Sequence, residues 1–355
     1  MVRGISAAKW GYVTRRVSET AEAQLGASAQ PARLGDFVVA SVAKLGEHEY
    51  LENPYGRRVR MYPGDLVIGA YGNRYATDFY EGYIPGPGDE VHLLTAGGLI
   101  GTVASAHTSK GEPTVLEVLG PLTDAAGNSM STDDVALAPA PEARPELGTI
   151  VVLGSSMNAG KTTATSSIVR GLTRSGLRAG AGKVTGSGSG KDHWAYLDAG
   201  AATIADFLDF GMASSFGYPV ERLITTMSAI RNQLVAEGAD AVVLEVADGV
   251  LQDETRALAA TLPGFADAVV LAVGDALGAI AGIKVLSELG VPVRAVSGLV
   301  TASPLATREA AAATGLPVLT PAELAGSGAL ELLAKPLPSD GTADELVDGL
   351  LGTPA

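Results

Sequence analysis

The chemistry-bearing stretch of this chain is Gly154-Ser155-Ser156-Met157-Asn158-Ala159-Gly160-Lys161-Thr162-Thr163. An apolar run, TIVVLG, leads into it and a helix-forming run, KTTATSSIVRGLTRSG, leads out. Backbone N–H groups in such a turn, together with the N-terminus of the following helix, form an anion cradle. Lys161 then reaches the β- and γ-phosphates of a nucleotide, and Thr162 can hold Mg²⁺. Five residues separate Gly154 from Gly160, one more than in the common phosphate loop.

Two more residues fit the same chemistry. A triphosphate and its metal concentrate negative charge, so phosphoryl transfer needs cations around the transferred group. Lys183 supplies a second cation at a strand end. Glu245 follows the apolar run AVVL and so emerges at a strand's carboxyl end, where open α/β sheets bind ligands and a carboxylate can hold Mg²⁺. Asp248, three residues on, is a second candidate for metal or water positioning, and His193 lies in GKDHWAY, read as a polar loop beside the site. No general base stands out, which suits a nucleophile that is already anionic.

These residues require a parallel sheet to position them. After residue 148 the runs TIVVLG, ADAVVLEV, ADAVVLAVG and VRAVSGLV alternate with helical stretches. Continuous Val/Leu/Ile runs mark strands covered on both faces, so the sequence predicts an α/β fold with a doubly wound, mostly parallel sheet. Before residue 140 the grammar is different. DFVVASV, RRVRMY, DLVIGAY, EVHLLT, LIGTVASA and TVLEVLG are short and separated by Gly/Pro/Asp turns, which predicts a small β-barrel-like domain. The expected boundaries are a β-rich domain over 1–140 (1–30 an extension, partly helical), a linker over 141–147 and a phosphate-loop domain over 148–355. Tyr71, Tyr75, Phe79, Tyr80 and Tyr83 cluster in the first of these, as a core or interface or as a recognition surface with Arg74 and Asp78 as polar handles.

Composition narrows the function. The 355 residues carry a net charge of −14, acidic in both halves, which argues against a nucleic-acid partner. Arg57, Arg58 and Arg60 form the one local basic patch worth testing. No run is long and apolar enough for a membrane span. With zero cysteines there are no disulfides or thiolate sites, and the N-terminus lacks the apolar core of a signal peptide. The expectation is a cytoplasmic protein.

The five-residue gap resembles the loop of the dethiobiotin synthetase-like P-loop enzymes, G-T-D-x-x-V-G-K-T. AGKVTGSGSG is similar to that family's second-strand K-P-V-x-S-G segment, YLDAGA to its S-D-A segment and VVLEVADG to its V-E-G-A-G-G strand end. The resemblance covers about residues 148–325 and implies Lys183 as a second active-site lysine, with Asp198 and Glu245 joining Thr162 at Mg²⁺. Ser156 and Asn158 stand where the family has two loop carboxylates, Asp248-Gly249 where it has Gly-Gly, and Thr301 near its adenine-reading asparagine. What the resemblance carries over is therefore the phosphate and metal machinery, together with a homodimer.

The reading that follows is ATP- and Mg²⁺-dependent phosphoryl transfer to a small anionic acceptor, or its activation for ligation. Lys161, Lys183 and Glu245 would carry the chemistry. The alternative is a nucleotide-dependent switch or accessory ATPase acting on a partner protein. A polynucleotide kinase stands third because of the acidic balance. No base-reading motif separates ATP from GTP.

Overall fold

The computed structural model describes residues 5–17, 23–26 and 31–334. Residues 1–4, 18–22 and 27–30 of the expected extension, and 335–355 of the expected phosphate-loop domain, lie outside them. The chain divides into two compact units. The first comprises Met1–Ala138 with Thr185–Trp194 and Asp206–Tyr218; the second comprises Pro139–Val184, Ala195–Ala205 and Pro219–Ala355. Two segments downstream of the expected linker thus belong with the N-terminal residues. No feature of their composition announces it.

Among the described residues of the N-terminal part ten strands form: β1 Lys9–Trp10, β2 Gln24–Leu25, β3 Phe37–Lys44, β4 Tyr50–Glu52 and β5 Arg58–Arg60 come first. They are followed by β6 Leu66–Tyr71, β7 Tyr80–Tyr83, β8 Val91–Leu93, β9 Leu99–Ala106 and β10 Thr114–Thr123. All six short runs read from the sequence are strands. The main sheet runs β1-β6-β3-β10-β8-β9-β7, and β9 also pairs with β6 in parallel, so β6, β3, β10, β8 and β9 close into a ring. Closure removes sheet edges that would otherwise offer unpaired N–H and C=O groups. Val38, Ala40, Val42, Leu51, Met61, Leu93 and Ile100 are buried together as its core. In the extension, the residues described form β1, β2 and short 3₁₀ turns at Ile5–Ala7 and Tyr12–Thr14.

The aromatic cluster is mixed in burial: Tyr71, Tyr75 and Phe79 are half-buried and Tyr83 is exposed. Tyr80 is fully buried, Phe79 stacks on His48 with 4.9 Å between ring centroids, and Tyr75 and Tyr83 lie against Phe216. The basic patch is internally engaged: the Arg58 and Arg60 guanidinium groups stand over the Tyr50 ring at 4.9 and 5.7 Å, and Arg60 pairs with Glu49.

The remaining strands, β11 Gly148–Gly154, β12 Ala179–Lys183, β13 Thr203–Asp206, β14 Ala241–Glu245, β15 Ala268–Ala272 and β16 Ala295–Ser297, form a sheet ordered β13-β12-β14-β11-β15-β16. The β12–β14, β14–β11, β11–β15 and β15–β16 pairings are parallel. Among the described residues the helices are α1 Lys161–Arg174, α2 Gly190–Ala199, α3 Val220–Ala236, α4 Asp253–Ala259, α5 Ala276–Glu288, α6 Pro304–Thr314, α7 Pro321–Glu323 and α8 Ala329–Ala334. Ile150, Val152, Ala181, Val243 and Val270, alternate residues of their strands, pack with Ile168, Val169 and Leu172 of α1. The intervening positions face the other way, where Gly182 lies against Ile230 of α3 and Gly282 of α5 against Leu271. Helices cover both faces, so this is a doubly wound α/β sheet. Among the described residues, no helix is long and apolar enough to cross a membrane.

GKDHWAY departs from the sequence expectation. It forms the first turns of α2 rather than a polar loop, because Glu52 Oε2 accepts hydrogen bonds from the Gly190 N–H at 2.9 Å and the Ser189 hydroxyl at 3.0 Å. A carboxylate at a helix N-terminus satisfies orphan donors and complements the helix dipole. Its donor is far away in sequence, so no local pattern reveals it.

Candidate phosphate-loop site

The strand β11 is buried throughout and delivers Gly154 to the loop at its carboxyl end. The loop is pinned at both ends. Ser155 N–H donates to Ala272 O at 2.9 Å, and Ala159 O accepts from Leu299 N–H at 3.0 Å. Gly160 then turns the chain with φ 96, a left-handed conformation that a β-carbon disfavours, and its Cα side abuts Gly298. No side chain caps α1, which leaves the first-turn N–H groups directed at the loop. Asn158 also has positive φ, at 59, an arrangement that Asn tolerates better than most residues.

Lys161 is the first residue of α1 and is only 6% exposed. Its ammonium curls back over the loop and donates to Ser156 O at 2.9 Å and Asp248 O at 2.7 Å. Both acceptors are backbone carbonyls. Next to it, the Thr162 hydroxyl lies 3.2 Å from Glu245 Oε1, and the Tyr196 hydroxyl donates to Glu245 Oε2 at 2.7 Å. Glu245 is 2% exposed, at the carboxyl end of β14, in register with Val152 of β11 and Lys183 of β12. Lys183 is half-buried at that strand end.

The turn after β14 completes the site. Asp248 has φ 64 and presents its carbonyl to Lys161. Gly249 follows so close to the loop that a β-carbon there would meet Ser155 O at 2.7 Å and Ser156 Cα at 2.9 Å. Burial raises the Asp248 carboxyl to about 6; the charges of Lys161 and Lys183 oppose the shift, and those of Glu254 and Glu245 add to it.

Of the residues expected from the sequence, Gly154–Thr163, Lys161, Thr162 and Glu245 come together, and Lys183 shares Glu245's register. Asp198 is exposed near the end of α2, while Tyr196, two residues earlier on the same helix, reaches Glu245. Tyr196 sits inside the YLDAGA stretch, but its role becomes visible only once that stretch is helical. His193 belongs to the first unit, in the electrostatic neighbourhood of Arg15, Asp206 and Asp209, and burial holds its imidazole below the usual range.

Hard oxygen donors suit Mg²⁺. Among the described residues no three His, Cys, Asp or Glu side chains cluster around a metal position. A divalent ion here would therefore use Thr162, Glu245 and phosphate oxygens, the division of ligands usual for nucleotide-borne Mg²⁺.

Strand order, loop and lysine together define a P-loop NTPase fold. No family model matches the chain, and no curated protein matches it. Among solved structures it is similar to the signal recognition particle 54 kDa protein from Aeropyrum pernix K1 in complex with GDP, at 22% identity and TM-score 0.36, over 54% of this chain and 49% of that one. It is also similar to the signal recognition particle receptor FtsY from Elizabethkingia anophelis, at 16% identity and TM-score 0.31, over 50% and 59%. Chloroplast FtsY from Physcomitrella patens gives 16% identity and TM-score 0.36, over 60% and 67%. The chain spans about half the length of the first of these. The fold assignment rests on the sheet and the loop themselves.

Proposed function

We propose that this chain binds a nucleoside triphosphate with Mg²⁺ at Gly154–Thr163 and works as a switch-type NTPase. One observation carries the reading: a single short turn, Glu245–Gly249, supplies the carboxylate beside Thr162, the carbonyl on Lys161 and the glycine pressed against Ser155 and Ser156. A γ-phosphate claiming Lys161, with a metal claiming Glu245, would pull on that turn at two points. Loss of the phosphate would release both. Switch segments that order on γ-phosphate and metal contacts work by this logic. Bound Mg²⁺ would supply charge neutralisation across the β- and γ-phosphates.

The second reading is phosphoryl transfer to, or ligase-type activation of, a small acceptor. The position of Lys183 beside Glu245 favours it, as does the likeness to dethiobiotin synthetase-like loops. Asp198 as a further metal ligand, ATP as the nucleotide, and a homodimer belong to this reading.

Calorimetry with Mg·ATP and Mg·GTP tests both. Wild type should bind at least one of them, and Lys161→Ala should abolish binding. Lys183→Ala should spare both binding and hydrolysis in the switch reading, and spare binding but remove transfer in the second. Flat titrations of folded wild type at millimolar nucleotide would sink the nucleotide assignment altogether.

A further inference from the structure

The first unit holds a cavity that plays no part in the phosphate-loop site. Its volume is about 770 Å³, inside the range of roughly 300–1,000 Å³ usual for small-molecule sites. One wall is β1 with the 3₁₀ turn that follows it, and the other is the β4–β5 hairpin with its Asn53–Tyr55 turn. All of these residues lie in the first unit. Most of the lining is apolar, and Trp10 and Tyr55 are its aromatic members. The charged side chains in it are Lys9, Arg15 and Arg16, and among the described residues no carboxylate joins them. Their counter-ions belong to residues outside the lining: Lys9 pairs with Asp65, Arg15 with Asp206 and Asp209, and Arg16 with Asp209 at 3.5 Å. Arg15 is fixed in advance, two-pronged on Asp206 and donating through Nη1 to the Tyr12 hydroxyl at 2.8 Å, so little side-chain freedom is left to lose when a ligand meets it. Asn53 Oδ1 accepts from the Tyr55 N–H at 3.1 Å and the Arg57 N–H at 2.9 Å. What Asn53 keeps for a guest is its amide N–H₂, and the Trp10 indole nitrogen likewise can only donate.

We propose that this cavity binds a ring-bearing small anion: an aromatic or heteroaromatic acid carrying a carboxylate, sulfonate or phosphate group. The ring packs on the apolar lining beside Trp10 and Tyr55, and the anionic oxygens accept from Arg15, Arg16 and Asn53. Guanidinium-to-oxyanion bonds are charge-assisted and suit planar acid groups. A cationic ligand would meet like charge from three side chains. A neutral apolar one would cover those cations without giving them an acceptor, which is costly. The inference is independent of the nucleotide reading, since no residue of the phosphate-loop site enters it.

The test titrates the full-length chain with two probes, anilinonaphthalene sulfonate and phenylnaphthylamine, which shares the rings and lacks the sulfonate. The chain has two tryptophans, so Trp194→Phe leaves Trp10 as the reporter inside the cavity lining. Trp10 emission should be quenched saturably at one probe per chain, with the sulfonate bound at least about tenfold more tightly than its neutral counterpart. Arg16→Gln should weaken the sulfonate by about tenfold and leave the neutral probe unchanged. Ala8→Phe, which puts a ring into the cavity, should weaken both probes by about tenfold or more. Urea unfolding shows which variants are folded, and either of the two is a sufficient test by itself. Dye that brightens without quenching Trp10 would be bound elsewhere and would overturn the proposal. Equal affinity for the two probes would overturn it as an anion site. Quenching that does not saturate by about 1 mM, or folded variants that bind the sulfonate as wild type does, would overturn it as a site at all.

Discussion

The Tyr196 hydroxyl donates to Glu245 Oε2 at 2.7 Å, while the other carboxylate oxygen of Glu245 faces the Thr162 hydroxyl at 3.2 Å. One oxygen is thus held by Tyr196 and the other by Thr162, the residue proposed to share Mg²⁺ with Glu245. Partners behind a metal-binding carboxylate set its orientation and basicity, and their removal commonly costs 10- to 100-fold in metal affinity. Tyr196→Phe keeps the ring and removes the bond. It should weaken Mg²⁺ dependence of nucleotide binding by about tenfold while leaving metal-free nucleotide binding unchanged. Titrating Mg²⁺ at fixed nucleotide checks this, and an unchanged Mg²⁺ midpoint would show the bond to be structural only.

A second prediction concerns the first unit. Arg15 makes a two-pronged pair with Asp206, through Nη1 at 2.9 Å and Nη2 at 2.8 Å, and Nη2 also meets Asp209 at 2.8 Å. Burial pushes the Asp206 carboxyl up, but the Arg15 guanidinium more than offsets it and holds the group below its ordinary value. Burial and the Asp206 charge together raise Asp209. Removing the cation would take the ion pair from buried Asp206 and, among the described residues, leave Asp209 with Arg16 alone, at 3.5 Å. Arg15→Ala should destabilise the protein by about 3–5 kcal/mol, read from urea unfolding. The triple variant with Asp206→Asn and Asp209→Asn should recover part of that loss. A single-variant cost under about 1 kcal/mol would mean that water reaches the site and screens it.

The third prediction is a pH dependence. His48 stacks on Phe79, and its Nε2 lies 3.0 Å from Leu94 O. Burial, aided by the Arg74 charge and opposed by the Leu94 carbonyl, lowers its imidazole to about 4. The unfolded chain, with an ordinary imidazole near 6.5, then binds more protons than the folded one between pH 6.5 and 4. The stability contribution is intact above pH 6.5 and is lost as the pH falls through that window. The urea midpoint should drop from pH 7 to pH 5 in wild type and drop less in His48→Gln. Equal drops would place the acid sensitivity elsewhere.

Much of the second unit was legible because its signals are local. Each strand of TIVVLG, ADAVVLEV and ADAVVLAVG is a continuous apolar run, and Gly160-Lys161-Thr162 follows one of them at once. The loop and Glu245 could be placed from that alone. Tyr196 could not, since its contact depends on α2, and α2 depends on Glu52 accepting from Gly190 across 138 positions of sequence. Asp248 reads from the sequence as a second candidate for metal or water positioning. Its left-handed backbone and its carbonyl on Lys161 are tertiary facts, invisible to periodicity. The grouping of Thr185–Trp194 and Asp206–Tyr218 with the N-terminal residues is of the same kind.

The tether from Lys161 to two uncharged oxygens shapes how a guest would enter. The Lys161 ammonium donates to the backbone oxygens of Ser156 and Asp248. In the proposed switch, a phosphate that took over the ammonium would free the peptide group of Asp248 in the same event. Occupancy of the cradle and relaxation of its far wall would then be a single motion.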